Sequence, residues 1–478
     1  MNQTINCDVA ILGGGLGGLF AAIGAAERGA GRICVFEAGK VLGGNGRMAN
    51  TFVSSDFCDY GNYETDDNLR GLYRRAMDQL HNTGNPELIW RYLDHARDIA
   101  KWFEARGVEW VTVDPNAGPF ASDCSRNVTS VYEHGKGPTL GAVLCDQLIE
   151  ACRSYPNIEF FMEARARHLL TDGGRVTGAL VQMPDGAAAV NAPVTILATG
   201  GVGGSFASLY RFLPKFMEPG DDLELGGVRT CVGDGIDMAA EIGAQTGQHM
   251  NIHLLGPNYA GGRFSPLLPV LPDPRTVLVS RAGERVLDEA YLRDGQEVAN
   301  RTKGKVYYGL YALDTLREIW DDIHNGEPPY PVEKIPEQLE RECSRGFIVL
   351  ADGIEEAAAA IGAAPETLAG TVARYDASCA AGCDEQLHKD PRFLRPLGPG
   401  PYVLLYARRK MDSTQGGITT DAQLRPLRPD GTAIDGIYVI GDHVTGFVSE
   451  FYGPGGAGMT FAMVSGYLAG QQAAERKG

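Results

Sequence analysis

The sequence predicts an α/β protein: a parallel-sheet domain begins at the N-terminus, is interrupted by a second, α+β domain, and is completed by the C-terminal residues. Three observations predict it. Apolar runs end in glycine-rich turns at residues 9–18, 194–201 and 436–442, as buried parallel strands do. Composition shifts after residue 250, where Pro257, Pro266, Pro269, Pro272 and Pro274 punctuate a loop-rich stretch. The 478 residues are long for one core, so two domains are expected. Their expected limits are 1–250 with 406–478 for the first, and 251–405 for the inserted one.

The first element is the strand Val9-Ala10-Ile11-Leu12, followed by Gly13-Gly14-Gly15-Leu16-Gly17-Gly18 and a helix-like Leu19-Phe20-Ala21-Ala22. Gly13, Gly15 and Gly18 fit G-x-G-x-x-G. Nineteen residues past Gly18, at the end of Ile33-Cys34-Val35-Phe36, stands Glu37. An ordinary glycine-rich turn accounts for the glycines alone. Strand, turn, helix and acidic residue in register make the dinucleotide-binding pattern of a Rossmann-like domain. In it Gly13 permits the tight turn, Gly15 lets backbone approach a pyrophosphate, and Gly18 lets helix and strand pack closely. The N–H groups at the helix start face the phosphates, and Glu37 accepts hydrogen bonds from a ribose.

FAD fits better than a nicotinamide. A second glycine loop, Gly43-Gly44-Asn45-Gly46, suits a long, buried cofactor. Val194-Thr195-Ile196-Leu197-Ala198-Thr199-Gly200-Gly201 reads as a buried strand ending in a tight turn. Gly436-Ile437-Tyr438-Val439-Ile440-Gly441-Asp442 reads as another, with Asp442 suited to ribityl hydroxyls. No second G-x-G-x-x-G with a following acid occurs, so a separate nicotinamide domain is not indicated. Candidate cofactor contacts are therefore Gly13, Gly15, Leu16, Gly17, Gly18, Glu37, Ala38, Gly43, Gly44, Asn45, Thr199, Gly200, Gly441 and Asp442. His443 faces flavin or solvent rather than substrate, and Arg47 is a further candidate contact.

Together these segments resemble the fumarate reductase/succinate dehydrogenase flavoprotein family, which includes the 3-ketosteroid dehydrogenases, over nearly the whole chain. The resemblance implies a Rossmann-like FAD-binding domain with an inserted α+β capping (substrate) domain. It adds Asp234, in Gly233-Asp234-Gly235-Ile236-Asp237-Met238-Ala239, and Gly458 and Met459 to the cofactor contacts. The histidine that tethers FAD in membrane succinate dehydrogenases has no counterpart, so noncovalent FAD is implied.

On the substrate side, Arg285-Val286-Leu287-Asp288-Glu289-Ala290-Tyr291-Leu292-Arg293-Asp294 resembles the family's R-F-V-N-E-x-x-x-R-D. The resemblance makes Arg293 the proton donor, with Glu289 or Asp294 as its relay. Spacing alone suits an exposed i,i+4 ion pair of Glu289 with Arg293. The fumarate clamp is not reproduced. Ser413 stands where the family has histidine before T-x-G-G, Gly453 falls on its arginine, and the histidine of Asn251-Ile252-His253 is out of register. A small dicarboxylate loses most of its charge pairing there. Ser413-Thr414-Gln415-Gly416-Gly417-Ile418-Thr419-Thr420-Asp421 resembles the G-T-K-G-G-x-x-T-D of 3-ketosteroid Δ1-dehydrogenases. Tyr452-Gly453-Pro454-Gly455-Gly456 resembles their Y-P-G-x-G, with one extra glycine. By that resemblance the Tyr452 phenol and the Gly456 N–H hold a ketone oxygen, an arrangement suited to an enolate. A tyrosine packed in a glycine-rich turn is the alternative. Those dehydrogenases carry a tyrosine base where this chain has Arg293.

Three functions remain open. One is an ene reductase for an enone or enoate other than a small dicarboxylate, with Arg293 in the donor position. Another is a 3-ketosteroid-type dehydrogenase running the desaturating direction. The third is a noncatalytic flavin-binding electron carrier, against which a cap-sized insertion argues. His249 and His253 lie near the expected substrate side, where a lone histidine is more often structural.

Net charge of −17 disfavours nucleic acid and anionic membrane as partners. The ten cysteines form no C-x-x-C, so neither an iron–sulfur cluster, a c-type haem nor a metal site is signalled. Cys379 and Cys383, at i and i+4, could share a helix face, but two ligands do not make a metal site. The first residues show no basic run and no twin arginine, and no apolar stretch nears the ~20 residues of a bilayer span. A cytoplasmic protein with reduced thiols is expected, its electron donor unknown. Further helices are expected within 66–112 and over 140–152, 312–323, 353–362 and 365–380, with a strand at 158–161 and a hairpin of 166–170 with 176–183.

Overall fold

The computed structural model describes residues 3–57, 67–112, 125–128, 139–217, 222–262, 265–290, 306–324, 331–447 and 456–476. The chain forms two compact units. The first comprises Met1–Pro214, Gly227–His253 and Ser413–Gly478, and the second Lys215–Gly226 and Leu254–Asp412.

The two larger sheets of the first unit use β1 (Gln3–Asn6), β2 (Val9–Leu12), β3 (Ile33–Phe36), β4 (Ile158–Phe161), β5 (Arg165–Asp172), β6 (Arg175–Met183), β7 (Gly186–Asn191) and β8 (Val194–Leu197). The second unit contributes β9 (Val277–Ser280), β10 (Tyr307–Ala312), β11 (Ile348–Ala351) and β12 (Tyr402–Gln415), and the first unit resumes with β13 (Ile437–Val439). The central sheet of the first unit is parallel, ordered β13–β8–β2–β3–β4. Every residue of β2, β3, β8 and β13 is buried, which is why these strands read as unbroken apolar runs.

Helix α1 (Leu16–Glu27) leaves β2 and lies on the C-terminal helix of the chain, Ala457–Glu475. The two meet backbone to backbone. A Cβ on Gly17 would stand 2.8 Å from Ala462 O, and one on Gly466 or Gly470 would stand 2.1 Å from Gly17 O or Ala21 O. Phe20 adds edge contacts to Trp102, Phe103 and Tyr467. The expected helical region 66–112 resolves into α2 (Asn68–Gln79) and α3 (Pro86–Glu104), capped by the Asp67 and Asn85 side chains, before α4 (Leu140–Arg153).

The expected hairpin is β5 with β6, and it belongs to a larger sheet ordered β1–β7–β6–β5. Neither β1 nor β7 is evident from sequence. One is a polar edge strand and the other, Gly-Ala-Ala-Ala-Val-Asn, lacks the β-branched bulk that marks a strand.

After α5 (Asp234–Glu241), the second unit's sheet has β12 at its centre, with β10 and β11 pairing its Tyr402–Ala407 half and β9 beyond β10. The helices α6 (Leu313–His324), α7 (Ile335–Ser344), α8 (Ile354–Ile361) and α9 (Pro365–Ala381) cover it, and Ala457–Glu475 is α10. Trp320, Tyr307 and Tyr311 build one core, and Tyr375, Leu368 and Leu404 another. Gly382, in the left-handed region, ends α9, so Cys383 lies past the helix and shares no face with Cys379.

Candidate cofactor and active site

Register brings the expected cofactor residues to one edge of the parallel sheet. Leu12 pairs with Phe36 on one side and Leu197 on the other, and Leu197 pairs with Val439. The segments that follow these four residues therefore leave the sheet side by side. Glu37 and Ala38 follow β3, Gly13 to Gly15 follow β2, Thr199 and Gly200 follow β8, and Gly441 and Asp442 follow β13. Strands spaced about 4.8 Å apart make this edge about 14 Å from β3 to β13. The order reverses between β2 and β8, the place where doubly wound sheets bind ligands.

Gly13 has φ of +119°, and a Cβ there would stand 2.2 Å from Ala198 O. A Cβ on Gly18 would stand 2.0 Å from Gly13 O, so Gly18 lets α1 close on the turn. At Gly15, by contrast, the nearest atom to such a Cβ is Gly43 O at 4.0 Å, which leaves open space beside the backbone. Gly15 is the N-cap of α1 and supplies no capping side chain. Leu16 is buried behind it, and Gly43 N–H donates to Gly14 O at 2.8 Å, fastening the second glycine loop to the first. In that loop Asn45 Oδ1 accepts from Val228 N–H at 2.7 Å, and Gly44 abuts Gly15. Arg47 donates to Leu42 O and pairs with Asp146, which commits it to holding the loop.

The Glu37 carboxylate accepts from Gly14 N–H at 2.8 Å and Gly39 N–H at 2.6 Å, and is thereby aimed before any ribose arrives. Asp234 opens α5 behind the N-cap Gly233 and pairs with Arg165 at 2.7 Å. Cys231 lies within the field of Glu37, Asp234, Asp442 and Arg165, and burial pushes its thiol up to about 12. Burial likewise pushes the Asp442 carboxyl up to about 7, although part of its surface stays accessible, as for a group lining a cleft. The T-Q-G-G segment reaches the same place. Gly416 N–H donates to Asp442 O, Gly417 N–H to Thr445 Oγ1, and Val202 N–H to Thr414 Oγ1. Gly458 is half-buried and Met459 buried in the first turn of α10, whose N-cap Gly456 again supplies no side-chain cap.

Among the substrate-side candidates, Arg293 and Tyr452 lie outside the described residues, as do Tyr291 and Asp294. Gly456 is in the left-handed region at φ of +91°, and a Cβ there would stand 2.6 Å from Thr51 O. Glu289 is fully buried. It accepts from Arg285 Nε and Nη2 at 3.0 and 2.7 Å and from Leu278 N–H at 2.9 Å, with Lys389 Nζ at 3.1 Å. Arg285 also holds Asp384 at 2.7 Å and stands over the Tyr375 ring. Burial lowers the Lys389 ammonium from its ordinary range, against the attraction of Glu289. Glu289 is thus the centre of a buried four-charge cluster with a partner at i−4. Arg285, Asp384 and Lys389 carried no sequence signal as a group, because Asp384 and Lys389 come from a segment about a hundred residues away. Arg165 was equally silent, since only the fold brings it to the cofactor edge; for Thr199 and His443 the place was legible in the sequence, but not that their polar atoms are buried together against Gly235.

These features fit FAD. The open space at Gly15 admits a pyrophosphate, and the side-chain-free N-caps of α1 and α5 leave the helix starts to a ligand. Thr199 Oγ1 and both ring nitrogens of His443, beside this edge, are buried without hydrogen-bond partners.

The family comparison agrees: the chain belongs to the FAD binding domain family, which it matches over residues 8–459. Over 324 residues it is 28% identical to the NADH:acrylate oxidoreductase of Vibrio harveyi, covering 67% of this chain and 31% of that protein. Over 480 residues it is 26% identical to the cytochrome-type fumarate reductase of Shewanella frigidimarina, covering 98% of this chain and 77% of that protein. The chain thus spans less than a third of the first relative's length and more than three quarters of the second's. The crystal structure of 3-ketosteroid Δ1-dehydrogenase from Sterolibacterium denitrificans in complex with 1,4-androstadiene-3,17-dione shares the fold. Its TM-score is 0.80 at 17% identity, covering 99% of this chain and all of that one. The chain therefore carries the FAD-binding domain of this family over nearly its whole length.

Proposed function

We propose that the protein is an ene reductase whose substrate is an enone or a singly charged enoate, and that it does not reduce a small dicarboxylate. The substitution of Ser413 and Gly453 for the two clamp cations carries this reading. Ser413 Oγ is engaged by the Gln415 side chain and offers no charge to a carboxylate. The relative that acts on acrylate, a monocarboxylate, supports it. The desaturating direction is the second reading, favoured by the Tyr452 and Gly456 motif.

FAD, when bound and reduced by an external electron donor, would supply hydride to the substrate carbon β to the carbonyl. Arg293 gives a proton to the α carbon, which completes the saturated product. The Tyr452 hydroxyl and the Gly456 N–H hold the carbonyl oxygen as its negative charge grows. Arginine stays protonated in water, so this role requires a dry site and a group that returns the proton. FAD is held noncovalently. The two compact units correspond to an FAD-binding domain and a capping domain. Eight described cysteines are free thiols, which supports a reducing, cytoplasmic setting. Among the described residues no helix is long and apolar enough to cross a membrane.

The test is anaerobic mixing of dithionite-reduced protein with enones, acrylate-type acids and fumarate. Flavin reoxidation by the first two and not by fumarate is expected. Flavin that stays reduced with every enone and monocarboxylate, or that fumarate reoxidises fastest, overturns the reading. Arg293→Ala is expected to lower turnover by at least about 100-fold with FAD still bound; a fully active variant removes Arg293 from the mechanism.

A further inference from the structure

The sheet of the second unit ends in a hollow. Ala312, the last residue of β10, and Ala351, the last of β11, both pair with Tyr402, the first of β12. Three strands therefore stop at one level. There the chain turns into α6 after Ala312, toward α8 after Ala351, and reaches β12 through Pro401. The first turn of α7 closes the side. The space between is a cavity of about 370 Å³ that lies wholly within the second unit. Sites for small molecules run from roughly 300 to 1,000 Å³.

Its lining is firm and apolar. Ile335, Leu339, Ala351, Tyr402 and Val403 all contribute, and none is more than 4% exposed. At its margin stands Leu350, 43% exposed, on strand β11. A ligand seated in the hollow would cover this side chain and gain its apolar area.

Three charged side chains share the lining: Arg317, Asp352 and Glu356. They do not balance. Arg317 is already engaged on its own helix by Asp314, at 3.3 Å. Glu356 Oε2 accepts from the Asp352 N–H at 2.9 Å, which holds Glu356 beside Asp352. Neither carboxylate has a cation partner among the described residues. The starts of α6, α7 and α8 by themselves favour an anion, but Asp314, Glu337, Glu355 and Glu356 occupy their first turns and offset that field. An anionic ligand would therefore meet like charge, and a neutral one would leave both carboxylates unused.

We propose that this cavity is a ligand site for an amphipathic organic cation, an alkyl- or arylalkylammonium. Its apolar body fills the hollow, and its ammonium rests at Asp352 and Glu356. Two carboxylates on a flat surface would be ordinary solvated groups. Here they border an apolar space large enough for the rest of the molecule.

The test titrates the FAD-loaded protein with hexylammonium, hexan-1-ol and hexanoate, which share one tail and differ in head charge, by calorimetry. Hexylammonium should bind at one site about 5-fold tighter than the alcohol, the order of one exposed ion pair, with hexanoate weakest. Asp352→Asn with Glu356→Gln should bring the cation down to the affinity of the alcohol and leave the alcohol unchanged. Both side chains are exposed, so the variant should melt as wild type does. Asp352→Lys should invert the order and favour hexanoate. Leu350→Gln should weaken all three alike. No saturable binding of hexylammonium overturns the proposal, as does hexanoate binding equally well to wild type. A cation preference that survives in both the double variant and Asp352→Lys places the ammonium elsewhere and overturns it too.

Discussion

The cofactor edge of the first unit and the buried charge cluster of the second are both built around an acidic residue, Glu37 and Glu289, yet they work by opposite means. Glu37 is held by backbone N–H groups of glycines in a turn, and its site is made of backbone and empty space. Glu289 is held by two cations and one backbone N–H, in a site packed solid with side chains. The first should fail when a single Cβ is added, the second when a single charge is removed.

Adding a Cβ is the larger perturbation. In Gly13→Val the new Cβ meets Ala198 O at 2.2 Å, at the edge of the parallel sheet, at a φ that L residues rarely adopt. We expect loss of FAD binding together with a collapse of stability, read as colourless protein with no cooperative melt. Gly29→Ala controls for backbone strain alone. Its φ is +76°, but nothing lies within 4 Å of the new Cβ, so a cost of about 1 kcal/mol and retained flavin are expected. Equal damage from both variants would show that strain, rather than the close approach at the turn, is what the first unit cannot tolerate.

Removing a charge comes next. Lys389→Met leaves Arg285 facing Glu289 and Asp384 with one buried negative charge uncompensated. Breaking a buried pair in this way costs about 3–5 kcal/mol, measured as a fall in the denaturant midpoint at unchanged slope. Glu289→Gln distinguishes its two roles. As an anchor, Glu289 should lose stability of the same order when neutralised, while the surviving folded enzyme turns over normally. As a relay to Arg293, it should lose turnover and its pH profile with little change in stability. A buried carboxylate with three close donors favours the anchor.

This difference also explains how much the sequence could disclose. The turn from Gly13 to Gly18, Glu37, and the strand ends at Thr199 and Asp442 were legible because a backbone-built site demands glycines at fixed spacing beside apolar runs. The helices over 313–324, 354–361 and 365–381 were legible from periodicity and from Pro365 at the start. Strand β12 was not: its fourteen residues include Arg408, Arg409, Lys410 and Asp412, so no apolar alternation marks its second half. A domain limit drawn at 406 falls within it, whereas the unit changes at Asp412. Nor were Lys389 and Asp384 visible as partners of Glu289, or His443 and Thr199 as neighbours. Such pairs are fixed by tertiary contact between segments with no mutual spacing.

The smallest expected effect sharpens the comparison at the cofactor edge itself, where two adjacent residues respond to pH in opposite senses. In the apoprotein burial pushes the Asp442 carboxyl from 3.8 up to about 7, and the His443 imidazole from 6.5 down to about 4. For Asp442 the folded state binds more protons than the unfolded state between about 4 and about 7, so its contribution to stability falls as pH rises through that window. For His443 the unfolded state binds more protons between about 4 and about 6.5, so its contribution rises over nearly the same range. The two slopes largely cancel in acid, and the loss due to Asp442 ionising stands alone above about 6.5, where the unfolded imidazole has already given up its proton. Asp442→Asn removes one slope and keeps the other. Its apoprotein should therefore gain stability with pH from about 4 to about 6.5 and then level off, while wild type stays nearly flat and declines toward pH 7. Thermal midpoints of the two apoproteins across pH 4 to 8 check this. Parallel curves would mean that Asp442 is already ionised in the folded apoprotein, and so solvated within the cleft.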